Sequence, residues 1–219
     1  MKLIFRFDFL SQTSHHDTGK LGVPDGRGDP VKILFMFAAL LLSVAAFAEE
    51  RAINEKVIVK AGLDDVWQAW TTREGIKSFF APDANIGLHV DGPFEIFINP
   101  LAEPGMKGAD GMRILAIQDK AMLSFTWNAP PHLPEARKQR TYVTLRFQSQ
   151  GDSQTLVTLF HGGWGEGGEW DKAYAYFKGA WPNVLRNLQK RFDTGPVDWT
   201  EWLKRLKELP VPARTIPLK

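Results

Sequence analysis

Apolar and polar positions change period several times along the chain, and each change marks an element. Ala52 to Lys60 (AINEKVIVK) places Ile53, Val57 and Val59 on alternate positions beside Glu55 and Lys56, the period of two that a half-buried strand requires. Two short helices are expected next. Asp64 and Asp65 open the first, with Val66, Trp67 and Trp70 at helical spacing. Thr71 with Glu74 has capping-box spacing for the second, which carries Ile76, Phe79 and Phe80. Alternating segments then run over 85–90, 92–99, 111–118, 121–127, 139–148 and 154–161, bounded by turn pairs such as Asp91-Gly92 and Gly151-Asp152, and they predict an antiparallel meander. From about Glu169 to Phe192 the period turns helical, with Trp170, Tyr174, Phe177, Trp181, Val184 and Leu188 in one aromatic stripe. Pro182 lies inside that stripe and predicts a kink near residues 180–181. A last amphipathic stretch puts Trp199, Trp202, Leu203, Leu206 and Leu209 on one face before Pro210 stops it. It is expected to pack back on the domain, with a partner or membrane-surface role as the sharper alternative, since Lys204, Arg205 and Lys207 stand beside the two Trp.

Before Glu49 the pattern has neither period. Residues 33–46 read ILFMFAALLLSVAA after Lys32 and before Phe47-Ala48, a charged start, a short apolar run and an Ala-x-Ala end. That is a secretory signal pattern, too short for a permanent span of about 30 Å of hydrocarbon, with cleavage expected after Ala48 and a periplasmic or secreted mature chain. The first thirty residues end in a Gly/Asp/Pro-rich stretch and are expected to be a non-native or disordered extension; translation from Val31 would make residues 31–48 the complete signal. The organisation expected is therefore extension 1–30, signal 31–48, one domain 49–192 and tail 193–219.

Composition removes several chemistries. Of 219 residues 44% are hydrophobic and 24% charged, enough to build a core. The net charge of +2 supplies no attraction for nucleic acid. No cysteine is present, which excludes disulfides, thiol nucleophiles and Cys-ligated metals. The histidines after the signal, His89, His132 and His161, never stand four apart, so no zinc site is expected, and no cofactor motif survives inspection. Gly163, Gly165 and Gly168 satisfy G-x-G-x-x-G, yet no parallel strand follows, and Glu166 and Glu169 would repel phosphate. Those glycines are expected to turn the chain, with Trp164 closing one end of the interior. No G-x-S-x-G elbow occurs.

The element order, with the words VWQAWTTREGIKSFFAPDANI, VDGPFEIFI, LSFTWNAPPHLPE, VTLFHGGWGEG and EWDKAYAYFKGAWPNVLRNL, resembles the START-like (SRPBCC) superfamily. It is most similar to its AHSA-type domains, those like the activator of the heat-shock-protein-90 ATPase, over about Arg51 to Phe192. The resemblance implies an α+β helix-grip fold: a curved antiparallel sheet of about seven strands wraps the long C-terminal helix, with an apolar ligand cavity between them. It implies no catalytic motif.

Alternation then selects the side chains that would face such a cavity. The rows are Phe94, Ile96 and Ile98; Leu123, Phe125 and Trp127; Val143, Leu145 and Phe147; and Val157, Leu159 and His161, the last expected inward near the mouth. Adding the helix stripe, the candidate ligand-binding residues are Phe94, Ile96, Phe125, Trp127, His132, Leu145, Leu159, His161, Trp170, Tyr174, Phe177 and Trp181. Residues 128–140 (NAPPHLPEARKQR) look too Pro-rich for regular structure and bring His132, Glu135, Arg137 and Arg140 near the opening, as a gating loop or a plain surface loop. The function expected is an exported, non-catalytic binder or carrier of a small hydrophobic molecule, without nucleic acid, without a membrane span after cleavage and with no protein partner indicated. The alternatives are a cyclase-, isomerase- or hydrolase-like enzyme using His161, Tyr174, His132 or Glu135 as acid or base, and a co-chaperone if the chain stays in the cytoplasm.

Overall fold

The alternating segments close into two antiparallel sheets in a computed structural model that describes residues 50–209. The extension 1–30, the signal 31–48 with its cleavage point and the stop at Pro210 lie outside the described residues. Strand β1 (Ile53–Val59) leads into helix α1 (Leu63–Thr71) and the five-residue α2 (Arg73–Lys77). Then come β2 (Asp83–Ile86), β3 (Phe94–Phe97), the two-residue β4 (Gly108–Ala109), β5 (Ile114–Gln118) and β6 (Met122–Trp127). A single turn, α3 (Pro134–Arg137), precedes β7 (Thr141–Ser149) and β8 (Thr155–Gly162), and α4 (Gly168–Thr194) and α5 (Thr200–Glu208) complete the order.

The larger sheet has the order β1-β8-β7-β6-β5 and the smaller β2-β3-β4. The meander thus splits between β4 and β5: residues 98–107 leave the ladder, and Gly108, at φ 146°, and Ala109 rejoin β3 only briefly. Three backbone bonds stitch the sheets: Asp91 N to Ile114 O, Phe94 N to Met112 O and Ile114 N to Gly92 O. Asp91 takes the left-handed conformation there (φ 63°), one of the few residue types that tolerates it.

Register explains which faces are apolar. Ile53, His161, Val143, Phe125 and Ile114 oppose one another in one row across all five strands of the larger sheet. Side chains of a row share a face, and α4 covers this one with Phe177, Trp181, Leu185 and Leu188, while Ala173 packs with Ala129, Leu133 and Ala136. Helix α4 runs unbroken past Pro182. Its buried stripe differs from the expected one in that Leu185 and Ala173 are buried, whereas Trp170, Tyr174 and Val184 are half-buried. Leu185 lies four residues beyond Trp181 and Val184 three; both spacings face the same side, and packing chose the longer side chain.

Three local expectations change. Thr71 ends α1, its hydroxyl donating back to Trp67 O, and it is Thr72 that caps α2 by accepting from Gly75 N at 2.9 Å. Ile98 leaves the inner row of β3 and is 37% exposed. Residues 128–140 do hold regular structure: Pro134 occupies the first turn of α3, where its missing N–H costs nothing. The Glu169 carboxylate at the start of α4 accepts from the N–H groups of Glu135 (2.7 Å) and Ala136 (3.0 Å). Helix α5 docks on the domain, with Leu206 buried, Trp199 Nε1 donating to Lys77 O and Trp202 Nε1 to Ile98 O. No described helix is long and apolar enough to cross a membrane.

Candidate functional site

Between the sheet and α4 the aromatic side chains form one connected path of rings. Phe94 stacks on Phe125 at 4.0 Å between centroids, and Phe125 meets Trp127 at 5.6 Å. Trp127 lies 5.4 Å from Trp181, and Phe80 touches both at 6.1 and 5.9 Å. Trp181 stacks on Phe177, Phe177 meets Trp164, and Trp164 meets Tyr174 and Trp170 edge-on. Solvent contact rises along the path. Phe94, Phe125, Trp127, Trp181 and Phe177 are buried, whereas Trp164, Trp170 and Tyr174 at the N-terminal half of α4 are half-buried.

The half-buried end is organised by glycine. A Cβ on Gly165 would run into the Trp170 indole, so the chain passes Trp170 only as glycine. Trp164 then folds over His161 at 4.1 Å, its indole N–H donating to the His161 carbonyl at 2.8 Å. Arg51 lies 4.1 Å over the Tyr174 ring and pairs with Asp171 at 2.6 Å, and the Tyr174 hydroxyl donates to Ala52 O.

His161 is inward, as alternation requires, but it lies at no mouth: none of its surface is exposed. Trp181 Nε1–H is a donor only, so Nδ1, 2.9 Å away, must be the accepting nitrogen and the ring proton sits on Nε2. Nε2 donates to the Thr141 hydroxyl at 2.7 Å, and that hydroxyl donates on to Trp127 O at 3.3 Å. Every position on the imidazole is spent. Burial disfavours the imidazolium and pulls the pKa from the usual 6.5 to about 3, so the ring is neutral at physiological pH.

The other expected residues separate into groups. Phe94, Ile96, Phe125, Leu145 and Leu159 are buried on the inner face with Trp127, and Phe177 and Trp181 face them from α4. Trp170 and Tyr174 flank the half-buried end. His132 is exposed on the segment before α3, its ring edge-on to Tyr176 at 6.1 Å. Glu135 pairs with Lys138 at 2.8 Å on the surface. The candidate acids and bases therefore do not converge. Among the described residues no group of His, Asp or Glu is arranged to hold a metal.

Sequence reading missed the polar clasp beside this site. Arg137 donates to the carbonyls of Ala129, Gly105 and Gly108 and pairs with Asp110 at 3.2 Å, with side-chain exposures of 11% and 13%. Asp110 in turn accepts from the N–H groups of Gly105 and Gly108, each at 2.9 Å. Burial lowers the Arg137 pKa and Asp110 opposes that shift, which is how a charge survives at this depth. The clasp holds the 128–140 segment to the β4 loop, as Glu169 holds it to α4. Thr141 was also missed, although continuing the alternation of Val143, Leu145 and Phe147 back by one step places it on the inner face.

With this geometry established, comparison with known proteins assigns the chain. Residues 60–193 match the family model described as Activator of Hsp90 ATPase homolog 1-like protein. The chain belongs to this family. Its fold recurs in solved structures, each at probability 1.00. Protein MLL2253 from Mesorhizobium loti has 20% identity and a TM-score of 0.53, covering 67% of this chain and all of that one. CalU16 from Micromonospora echinospora has 21% identity and a TM-score of 0.50, covering 76% and 84%. The solution structure of the Aha1 dimer from Colwellia psychrerythraea has 20% identity and a TM-score of 0.50, covering 66% and 98%. Among curated proteins none matches. At these identities the structural likeness carries the helix-grip fold, in agreement with the family assignment.

Proposed function

We propose that this protein is an exported, non-catalytic carrier of a small hydrophobic molecule held between the curved sheet and α4. The observation that supports the reading is the ring path from Phe94 to Tyr174, because stacked and edge-on aromatic surfaces graded from buried to half-buried receive apolar ligands without a charge to neutralise. The path is most exposed at Trp164, Trp170 and Tyr174, and that end is where a ligand would enter. His161, the leading acid–base candidate, is neutral and committed through both ring nitrogens to Trp181 and Thr141, which argues for a binder and against an enzyme built on it. The signal pattern of residues 31–48 supports export.

Native mass spectrometry of the protein expressed with its own leader and recovered from the periplasm tests both parts. A mass beginning at Glu49 with an apolar adduct released on denaturation is the expected result. A cleaved chain that never carries an adduct, even after incubation with a hydrophobic extract, would overturn the carrier reading, and an uncleaved cytoplasmic chain would overturn export.

A further inference from the structure

The eight indoles of this chain are treated unequally. Trp164, Trp181, Trp199 and Trp202 each donate Nε1–H to a protein acceptor, including the two that crowd His161. Among the described residues, Trp70 and Trp127 keep Nε1 buried with no acceptor. These two lie on opposite elements, α1 and β6, and both touch Phe80, at 5.8 and 6.1 Å between centroids. An indole N–H can only donate, and a buried donor left unmet costs the desolvation that its neighbours avoid. Phenylalanine at either position would bury a ring without that cost. The unmet donors are therefore a demand that the protein itself does not answer.

We propose that the molecule held between the sheet and α4 carries a neutral acceptor oxygen, of the aryl ketone, quinone or ether kind, to which the indole N–H groups of Trp127 and Trp70 donate. This deepens the carrier reading and rests on it. Phe80, in ring contact with both indoles, is the ring that such a molecule stacks on or displaces. The oxygen is neutral because His161 is committed elsewhere, Arg137 is already paired with Asp110, and Arg191, whose Nε is also buried and unmet, lies in the last turn of α4, ten residues beyond Trp181, so a carboxylate or phosphate beside Trp127 and Trp70 would be left unpaired. A pure hydrocarbon leaves both donors unmet and gains only apolar contact.

The test compares two probes of nearly equal shape, fluorenone, which bears a carbonyl oxygen, and fluorene, which does not. Each is titrated into the isotope-labelled full chain while the indole N–H resonances are followed. Fluorenone is expected to bind roughly tenfold or more tightly than fluorene. It should move the Trp127 and Trp70 indole protons downfield and leave those of Trp199 and Trp202 in place. Trp127→Phe and Trp70→Phe should each narrow the gap between the two affinities and the double variant should close it, chiefly by weakening fluorenone; if a variant fails to fold, the comparison on the unaltered chain still decides. Equal affinities on the unaltered chain overturn the acceptor proposal and leave the carrier reading standing, and so does a preference that is undiminished in both folded single variants. If neither probe perturbs the ring path, both readings fall together.

Discussion

His161 shows how much of a side chain's character is set by the atoms around it. The same imidazole on the surface would titrate near 6.5, and here burial takes it to about 3. Between those values the unfolded chain binds a proton that the folded one does not. The contribution is therefore fully present above about pH 6.5 and is lost as pH falls toward 3. Urea unfolding at pH 7 and pH 4 should show the native chain losing about 3 kcal/mol more than His161→Gln, which keeps a donor and an acceptor but does not titrate. Equal losses would mean that the ring is solvated. At the same site, Trp181→Phe removes the donor to Nδ1 while keeping most of the ring contact, and should cost about 1–3 kcal/mol in the same assay.

At the scale of elements, the 128–140 segment is held at both ends by ionised side chains reaching from other parts of the fold. Arg137 gathers three carbonyls and Asp110, and Glu169 receives the first N–H groups of α3. Such a clasp fixes the segment to the fold as a strap, where the sequence alone allowed a gating loop or a plain surface loop. Arg137→Ala leaves Asp110 buried beside empty space and should cost about 3–5 kcal/mol, with hydrogen exchange quickening in both 128–140 and 105–110. Arg137→Lys should recover little of it, because an ammonium cannot reproduce the planar fork. Glu169→Ala should cost about 1 kcal/mol and quicken exchange only at Glu135 and Ala136. Exchange that stays slow in all these variants would show that apolar packing of Leu133 and Ala136 against Ala173 holds the strap instead.

For the unit as a whole, α5 is part of the fold. Its two Trp donate to backbone carbonyls of Lys77 and Ile98, Val197 N donates to Ser78 O, and Leu206 is buried. Ending the chain after Gly195 should lower the melting temperature by roughly 5–10 °C, read by circular dichroism, while fluorene still reaches the ring path. An unchanged melting temperature would return these two Trp to a partner or membrane surface. The unit is thus a curved sheet, a long helix across its inner face, and a terminal helix that closes over α2 and β3.

Much of this was legible in single positions along the chain. Burial has a period, so alternation set the inner rows of β3, β6, β7 and β8 and helical spacing set the α4 face, each readable without knowing what lies opposite. The resemblance carried by the local words then ordered those pieces into the helix-grip fold. Pairing is different in kind. Whether Trp181 meets Nδ1 of His161 while Trp127 meets no acceptor, whether Arg137 finds Asp110, and where the meander splits into two sheets all depend on the separation of groups that the chain brings together from 20 to 122 positions apart. A hydrogen bond is decided within a few tenths of an ångström and over a narrow range of angles. Only the assembled backbone determines that, and for this reason the apolar surface of the site was in the sequence while its polar character waited for the tertiary structure.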